Sequence, residues 1–306
     1  MRLTILLLAG ILVSASRGFS QEEPITPLPL PSSIRVQSAG PRSQVWDKLS
    51  PKEKQLAYHL IQAADAGRTL LFQRTHRHSL AIQRLLEDAF SKEHFQATKT
   101  LLGEKGFDEL LLYAAKFLDQ GGPYAGSNRK YVLKEVTPDQ VKTLISRYAG
   151  SDIPKQTIEE ITSLLCDPKY ETQQAPEHPD GKGLEKTGNN YYEKGITGDE
   201  VATVLDKSLK PDLNSRVIRS SKGLACETLT VQSPGAVGTA LRKMVEHLKA
   251  ARDYALTAHQ KAELDAMVKY FETGNVEEFR EPSLVTLVRS NLRSVRLPEA
   301  ANFSKP

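Results

Sequence analysis

With 306 residues, the chain is long enough for one large domain or two modest ones, each with a real core. Its 41 basic and 37 acidic residues nearly cancel, aromatic content is 7%, and no glycine-rich or RNA-binding motif occurs, which together exclude a typical nucleic-acid binder. Two cysteines, Cys166 and Cys226, are too few for a disulfide scaffold; pairing in an exported chain and two buried thiols both stay open.

The chain opens with MRLTILLLAGILVSASRGFS, in which a basic Arg2 precedes an apolar run from Leu3 to Ala15 and then small and polar residues. This is the three-part build of a secretory signal peptide, and the run is too short to favour a stable membrane span. Gly18 and Ser20 are the small residues a signal peptidase needs, so the expected cut lies between Ser20 and Gln21. The mature protein is then expected in a periplasmic or extracellular space. An uncleaved N-terminal anchor is the competing reading, while the lack of a cysteine after the run disfavours a bacterial lipoprotein. Residues 21–44 hold five prolines and no periodicity, as an extended leader would.

The first helix is expected at LSPKEKQLAYHLIQAADAG. Ser50 is a good N-cap, Pro51 suits the first helical position and Glu53 completes a capping box, while Leu56, Leu60, Ala63 and Ala64 form an apolar stripe. Gly67 is a candidate interruption before LAIQRLLEDAF resumes helical spacing through Ile82, Leu85, Leu86 and Phe90. A helix over FDELLLYAAKFLDQGG should end at Gly121 and Gly122. GPYAGSNRKYVL reads as a loop with a candidate strand. Thr137, Pro138 and Gln140 repeat the cap, proline and box signals, and PKQTIEEITSLLC should form a helix closed by Asp167-Pro168.

Residues 167–190 are polar and broken by proline and glycine, as in a solvated loop. NNYYEKGI is a second candidate strand, and Thr197 and Glu200 box the start of GDEVATVLDKSL. SRVIRSSKGLACETLTV alternates around SSKG and predicts a β-hairpin. Two long helices follow, GTALRKMVEHLKAARDYAL and TAHQKAELDAMVKYFETG, the second boxed by Thr257 and Gln260 and stopped by Gly274. The expected fold class is mainly α with a minor β component (α+β), without a fixed-period repeat.

The histidines give little chemistry. His76 and His78 in THRH are two apart and diverge on a helix, and no acid lies near them in sequence. With Arg74 and Arg77 they read as an exposed basic segment. His59 reads as a packing or surface residue, and His94, His178, His247 and His259 each stand alone. The adjacent acids Glu159 and Glu160 read as a solvated helix face. A zinc hydrolase needs two histidines on one helical face, a third ligand and a glutamate to activate water, and no such set is visible. There is no G-x-S-x-G, P-loop or dinucleotide fingerprint, and neither cysteine has an activating context.

The order of segments nevertheless resembles a known family. LSPKEKQLAYHLIQAADAGRTLLFQ is similar to the opening helix pair of the dipeptidyl peptidase III-like zinc metallopeptidases. LLYAAKFLDQGGPYAGSNRKYVL resembles that family's helix, glycine loop and strand, and NNYYEKGITGDEVATVLDK its tyrosine segment before a capped helix. DLNSRVIRSSKG and the run from ALRKMVEHLKAARDYAL to VEEF resemble the stretch leading to the middle of the enzyme. The resemblance covers about residues 46–280 and implies part of the lower lobe of a two-lobed enzyme.

In the intact family, the resemblance implies an exopeptidase that removes dipeptides from the N-terminus of short peptides, with zinc in the interlobe cleft. Its metal motifs are H-E-x-x-G-H or H-E-x-x-x-H and E-E-x-R-A-E/D, and neither occurs here. No catalytic or metal residue is therefore assigned, no substrate-binding residue can be named, and no cofactor is expected in this chain alone. The expected partners are those of the intact family, short peptides, without nucleic acid and without a stable membrane span after signal cleavage. The expected function is therefore that of an N-terminal fragment of an exported zinc-dependent dipeptidyl peptidase, inactive alone because the zinc motifs are absent; an exported non-catalytic peptide-binding or scaffold protein built on the same lobe is the alternative. The expected organisation is a signal peptide over 1–20, a leader over 21–44, the family-like region over 45–281, and a divergent basic tail over 282–306. From Pro282 to Pro298 no acid occurs, and Arg289, Arg293 and Arg296 stand among Leu, Val, Ser and Thr. This seam fits out-of-frame translation or a short basic helix at a natural end.

Overall fold

The computed structural model describes residues 46–125, 128–149, 153–176, 183–204 and 214–278. The expected signal peptide, leader and basic tail lie outside them. The described residues divide into two compact units, the first built from those within 67–204 and 216–227, the second from 46–66, 214–215 and 228–278. Helix is the dominant element and one two-stranded sheet is present, so the mainly α class with a minor β component holds. Among the described residues, no helix is long and apolar enough to cross a membrane.

Helix α1, Pro51–Thr75, supplies its beginning to the second unit and its end to the first. Its start is the predicted capping box: the Ser50 backbone N–H donates to Glu53 at 2.8 Å and Glu53 N–H donates to Ser50 Oγ at 3.3 Å. Gly67 does not interrupt it. A glycine inside a helix costs about 1 kcal/mol, which the later burial of Phe72 outweighs.

In the first unit, α2 (Ser79–Ala89) buries Ile82, Leu85, Leu86 and Ala89, one face of a 3.6-residue period. Helix α3, Phe95–Gln120, is bent at Gly103, whose φ of 69° and ψ of 175° are not helical, and ends at Gly121 in the left-handed conformation. Helix α4 (Pro138–Tyr148) carries the complete Thr137–Gln140 box. Helix α5 (Lys155–Cys166) stops at an extended Asp167, the conformation forced on a residue that precedes proline. These four helices and Phe72 of α1 enclose the main core, which includes Leu110, Phe117, Leu144, Ile145, Ile161 and Leu164.

The hairpin is as expected, with β1 (Ser215–Ser220) paired to β2 (Gly223–Thr228). The two candidate strands are not strands. GPYAGSNRKYVL makes isolated bridges, Tyr124 with Lys130 and Arg129 with Gln173. In NNYYEKGI, Tyr192 bridges Val217 of β1, after which Gly195, at φ 89°, turns the chain away before a ladder can extend. Helix α6, Gly198–Val204, starts at the predicted box, with Thr197 N–H donating to Glu200 Oε2 at 2.8 Å. Leu184, Ile196, Val201 and Val217 form a smaller core beneath these segments.

The second unit packs the beginning of α1 with α7 (Gly235–Asp253) and α8 (Ala258–Thr273) around Leu56, Ala63, Val245, Leu248, Leu264 and Val268. Thr257 caps α8 by accepting from Gln260 N–H, but the Gln260 side chain accepts from Leu256 N–H, one residue earlier than a capping box requires. Gly274 ends α8 in the left-handed conformation.

Candidate functional site

The site of the first unit is built where α1 ends. The final carbonyls of a helix lack intrahelical partners. Here Asn190 supplies them from a distant segment: its backbone N–H donates to Arg74 O at 3.0 Å and its side-chain amide to Gln73 O at 3.1 Å. Thr75 Oγ1 also bonds Gly121 O at 2.6 Å. The chain then turns through His76, Arg77 and His78 into α2, which places these three side chains against α5 and the segment beginning at Tyr170.

The result is a closed polar cluster rather than the exposed basic segment expected. His76 is wholly buried, and its Nε2 lies 2.7 Å from Glu171 Oε2. Its Nδ1 accepts from the His78 backbone N–H at 3.0 Å, so the proton sits on Nε2 and is donated to Glu171. Arg77 reaches Glu171 Oε1 at 2.7 Å, Glu160 at 3.2 Å and the Tyr170 hydroxyl at 2.9 Å. His78 Nε2 lies 2.8 Å from Glu160 Oε2, and Lys194 Nζ lies 2.7 Å from Glu160 Oε1. Glu160 is therefore no solvated helix face. The partners come from positions 82 to 95 residues away, beyond the reach of local pattern reading.

Burial pulls His76 down to about 4 against the opposing hydrogen bond to Glu171, so the ring is neutral at neutral pH. Burial also lowers His78 despite Glu160. Burial alone would raise Glu160, but hydrogen bonds from Lys194 and His78 and the Arg77 charge hold it down at about 2. Glu171 is likewise held below the usual range, since the His76 and Arg77 hydrogen bonds outweigh burial. Two cations thus face two ionised carboxylates, with both imidazoles neutral.

Two backbone features hold the cluster. Glu171 has a left-handed φ of 42°, a strained conformation for a side-chain-bearing residue. It is held by its ion pair with Arg77, by the hydrogen bond from His76 and by the Tyr124 hydroxyl, which donates to Glu171 O at 3.1 Å. Gly188 passes so close that a Cβ there would overlap the Tyr124 hydroxyl and lie 2.5 Å from His76 Cδ2. The expected solvated loop over 167–190 therefore contains structural anchors, Glu171, buried Leu184 and Gly188. The parallel bridge between Gln173 and Thr187 brings its flanks together. His178 of this segment lies outside the described residues.

A cavity of about 200 Å³ adjoins the cluster, lined by Arg77, Glu171, Asn189, Asn190, Tyr192 and Lys194 among others. It is smaller than the roughly 300–1,000 Å³ of ordinary ligand sites. Both carboxylates of the cluster are ionised and paired. What the arrangement does is fix the α1–α2 corner, α5 and the 170–194 segment to one another.

The remaining histidines are not all solitary. The His94 ring lies 4.8 Å from the Tyr148 ring at a tilt of 36°, and His259 Nε2 lies 3.4 Å from Glu263. In the second unit, His59 and His247 face each other with Nδ1 atoms 3.3 Å apart. Among the described residues, no group of three or more His, Cys, Asp or Glu side chains is arranged to hold a metal ion. Cys166 and Cys226 are not joined by a disulfide, and burial raises the Cys166 thiol to about 11, far from a reactive thiolate.

No protein-family model matches the chain. Its sequence is similar to dipeptidyl peptidase 3 of Dictyostelium discoideum, 21% identical over 277 residues that take in 82% of this chain. The corresponding proteins of Rattus norvegicus and Homo sapiens are 25% and 24% identical over 299 and 297 residues, 83% of this chain. Each alignment covers 39% of the relative, so the chain spans about two fifths of the length of the curated proteins it matches. The solved structure of DPP III from Caldithrix abyssi aligns with 76% of this chain and 32% of its own, at a TM-score of 0.46 and 13% identity. Over four fifths of its length the chain is thus a dipeptidyl peptidase III-like sequence, related to part of that peptidase family's chain and not to the whole.

Proposed function

We propose that this chain is the exported, non-catalytic body of a dipeptidyl peptidase III-like protein, without dipeptidyl peptidase activity of its own. The observation that carries the reading is a sequence relationship to that peptidase in a chain with neither of the family's zinc motifs. The site chemistry agrees: the histidines and carboxylates brought together by folding are occupied with one another. Zinc would be held, and N-terminal dipeptides cleaved, only where a protein also carries those motifs. The test is to purify residues 21–306, add zinc and assay dipeptidyl-naphthylamides. No release above blank is expected, and zinc-dependent turnover overturns the proposal.

Export rests on the signal-peptide build of the first twenty residues. N-terminal sequencing of the protein recovered outside the cytoplasm should begin at Gln21. Recovery from the cytoplasm with Met1 intact overturns export while leaving the absence of catalysis untouched.

A further inference from the structure

The second unit contains a pair of facing histidines, His59 and His247. His59 lies on α1 between the core residues Leu56 and Ala63, and His247 on α7 between Val245 and Leu248. Core packing on either side of each histidine fixes where its ring emerges. The Tyr254 ring stacks on His59 at 5.8 Å between centroids and an interplanar angle of 12°, while Tyr58 meets the same ring edge-on. Both histidines are half-buried and open to solvent. Unlike His76 and His78, neither is paired with a carboxylate: the contact between them is Nδ1 to Nδ1, at 3.3 Å.

That separation has a chemical meaning. Two nitrogens bound at about 2.0–2.1 Å to one tetrahedral cation stand roughly 3.3–3.4 Å apart. A cation placed about 1.2 Å off the midpoint of the Nδ1–Nδ1 line would reach both. The rings are tilted by 38° with centroids 5.6 Å apart, so each must turn about its Cβ–Cγ bond for the lone pairs to converge.

We propose that His59 and His247 form a two-histidine site for a borderline divalent cation, of the Zn²⁺, Ni²⁺ or Cu²⁺ class, that clips α1 to α7. Imidazole nitrogen suits these ions and disfavours Mg²⁺ and Ca²⁺, which take oxygen. Both rings bind neutral through Nδ1: the ring that donates its Nδ1 proton to the other shifts to the Nε2–H tautomer, so each ring then carries its single proton on Nε2 and no net proton is released. Water completes the coordination, which makes the site exchangeable, and binding to the folded state alone raises its stability by mass action.

The test uses the full chain without a polyhistidine tag. Cu²⁺ is added at one equivalent, the electron paramagnetic resonance spectrum is read for coordinated nitrogens, and Zn²⁺ affinity is measured by calorimetry. The wild type should show two imidazole nitrogens, with at least tenfold weaker Zn²⁺ binding in H59A and in H247A. H259A should bind as the wild type does. Acidification to pH 5 should release the metal. If an alanine variant does not fold, H59Q or H247Q keeps the bulk without an imidazole ligand. A wild-type spectrum with one nitrogen, or Zn²⁺ affinity unchanged in the His59 and His247 variants, overturns the proposal.

Discussion

Replacing His76 by glutamine separates burial from hydrogen bonding at the cluster. Glutamine keeps an N–H donor for Glu171 but cannot titrate. Folding lowers His76 from 6.5 to about 4, so between these values the unfolded chain binds a proton that the folded chain refuses. The stability conferred is complete above pH 6.5 and is lost as pH falls through 4. At 1.36 kcal/mol per unit the full effect is about 3 kcal/mol, and no exposure discount applies to a ring that is 0% exposed. The measurement must report the first unit: the single tryptophan, Trp46, belongs to the second. Hydrogen exchange of peptides from α2 and α4, followed in urea from pH 7.5 to 4, supplies that. Wild type should lose about 3 kcal/mol more than H76Q across this range. Carboxylates outside the cluster titrate in both proteins and cancel in the difference, whereas Glu171 and His78 interact with His76 and are compared in an E171Q background. Parallel stability curves for the two proteins would refute a neutral, buried His76.

Glu171→Gln should cost the first unit about 3–5 kcal/mol in urea unfolding, because it leaves Arg77 short of a partner in a largely buried place. Gly188→Ala should cost about 1–3 kcal/mol in the same assay, since the methyl must displace Tyr124 or His76. Thr137→Ala removes the cap of α4 and should cost about 1 kcal/mol, with faster exchange confined to the first turn.

The helices were legible because their signals are local. Ser50 with Glu53, Thr137 with Gln140, and Thr197 with Glu200 each announce a helix start that the coordinates contain, and the SSKG hairpin follows from alternation about a turn. The continuous α1 was misread at Gly67 because a propensity cost counts for little against core burial nearby. The cluster was illegible because its members are local only in space. His76 and Glu171 are 95 residues apart, and an acid in a polar loop looks solvated until Tyr124 and Gly188 close over it. A faint signal was there in Tyr170-Glu171, an aromatic beside an acid within an otherwise small and polar stretch. The His59–His247 pair was hidden for the same reason, with 188 residues between its members.

The proposed absence of catalysis is tested most directly by incubating the purified chain with a mixture of short peptides and zinc, and reading the products by mass spectrometry. The peptide masses should be unchanged relative to a sample without protein. Progressive loss of N-terminal dipeptides, stopped by a chelator, would show that a catalytic centre exists in this chain and would contradict the account.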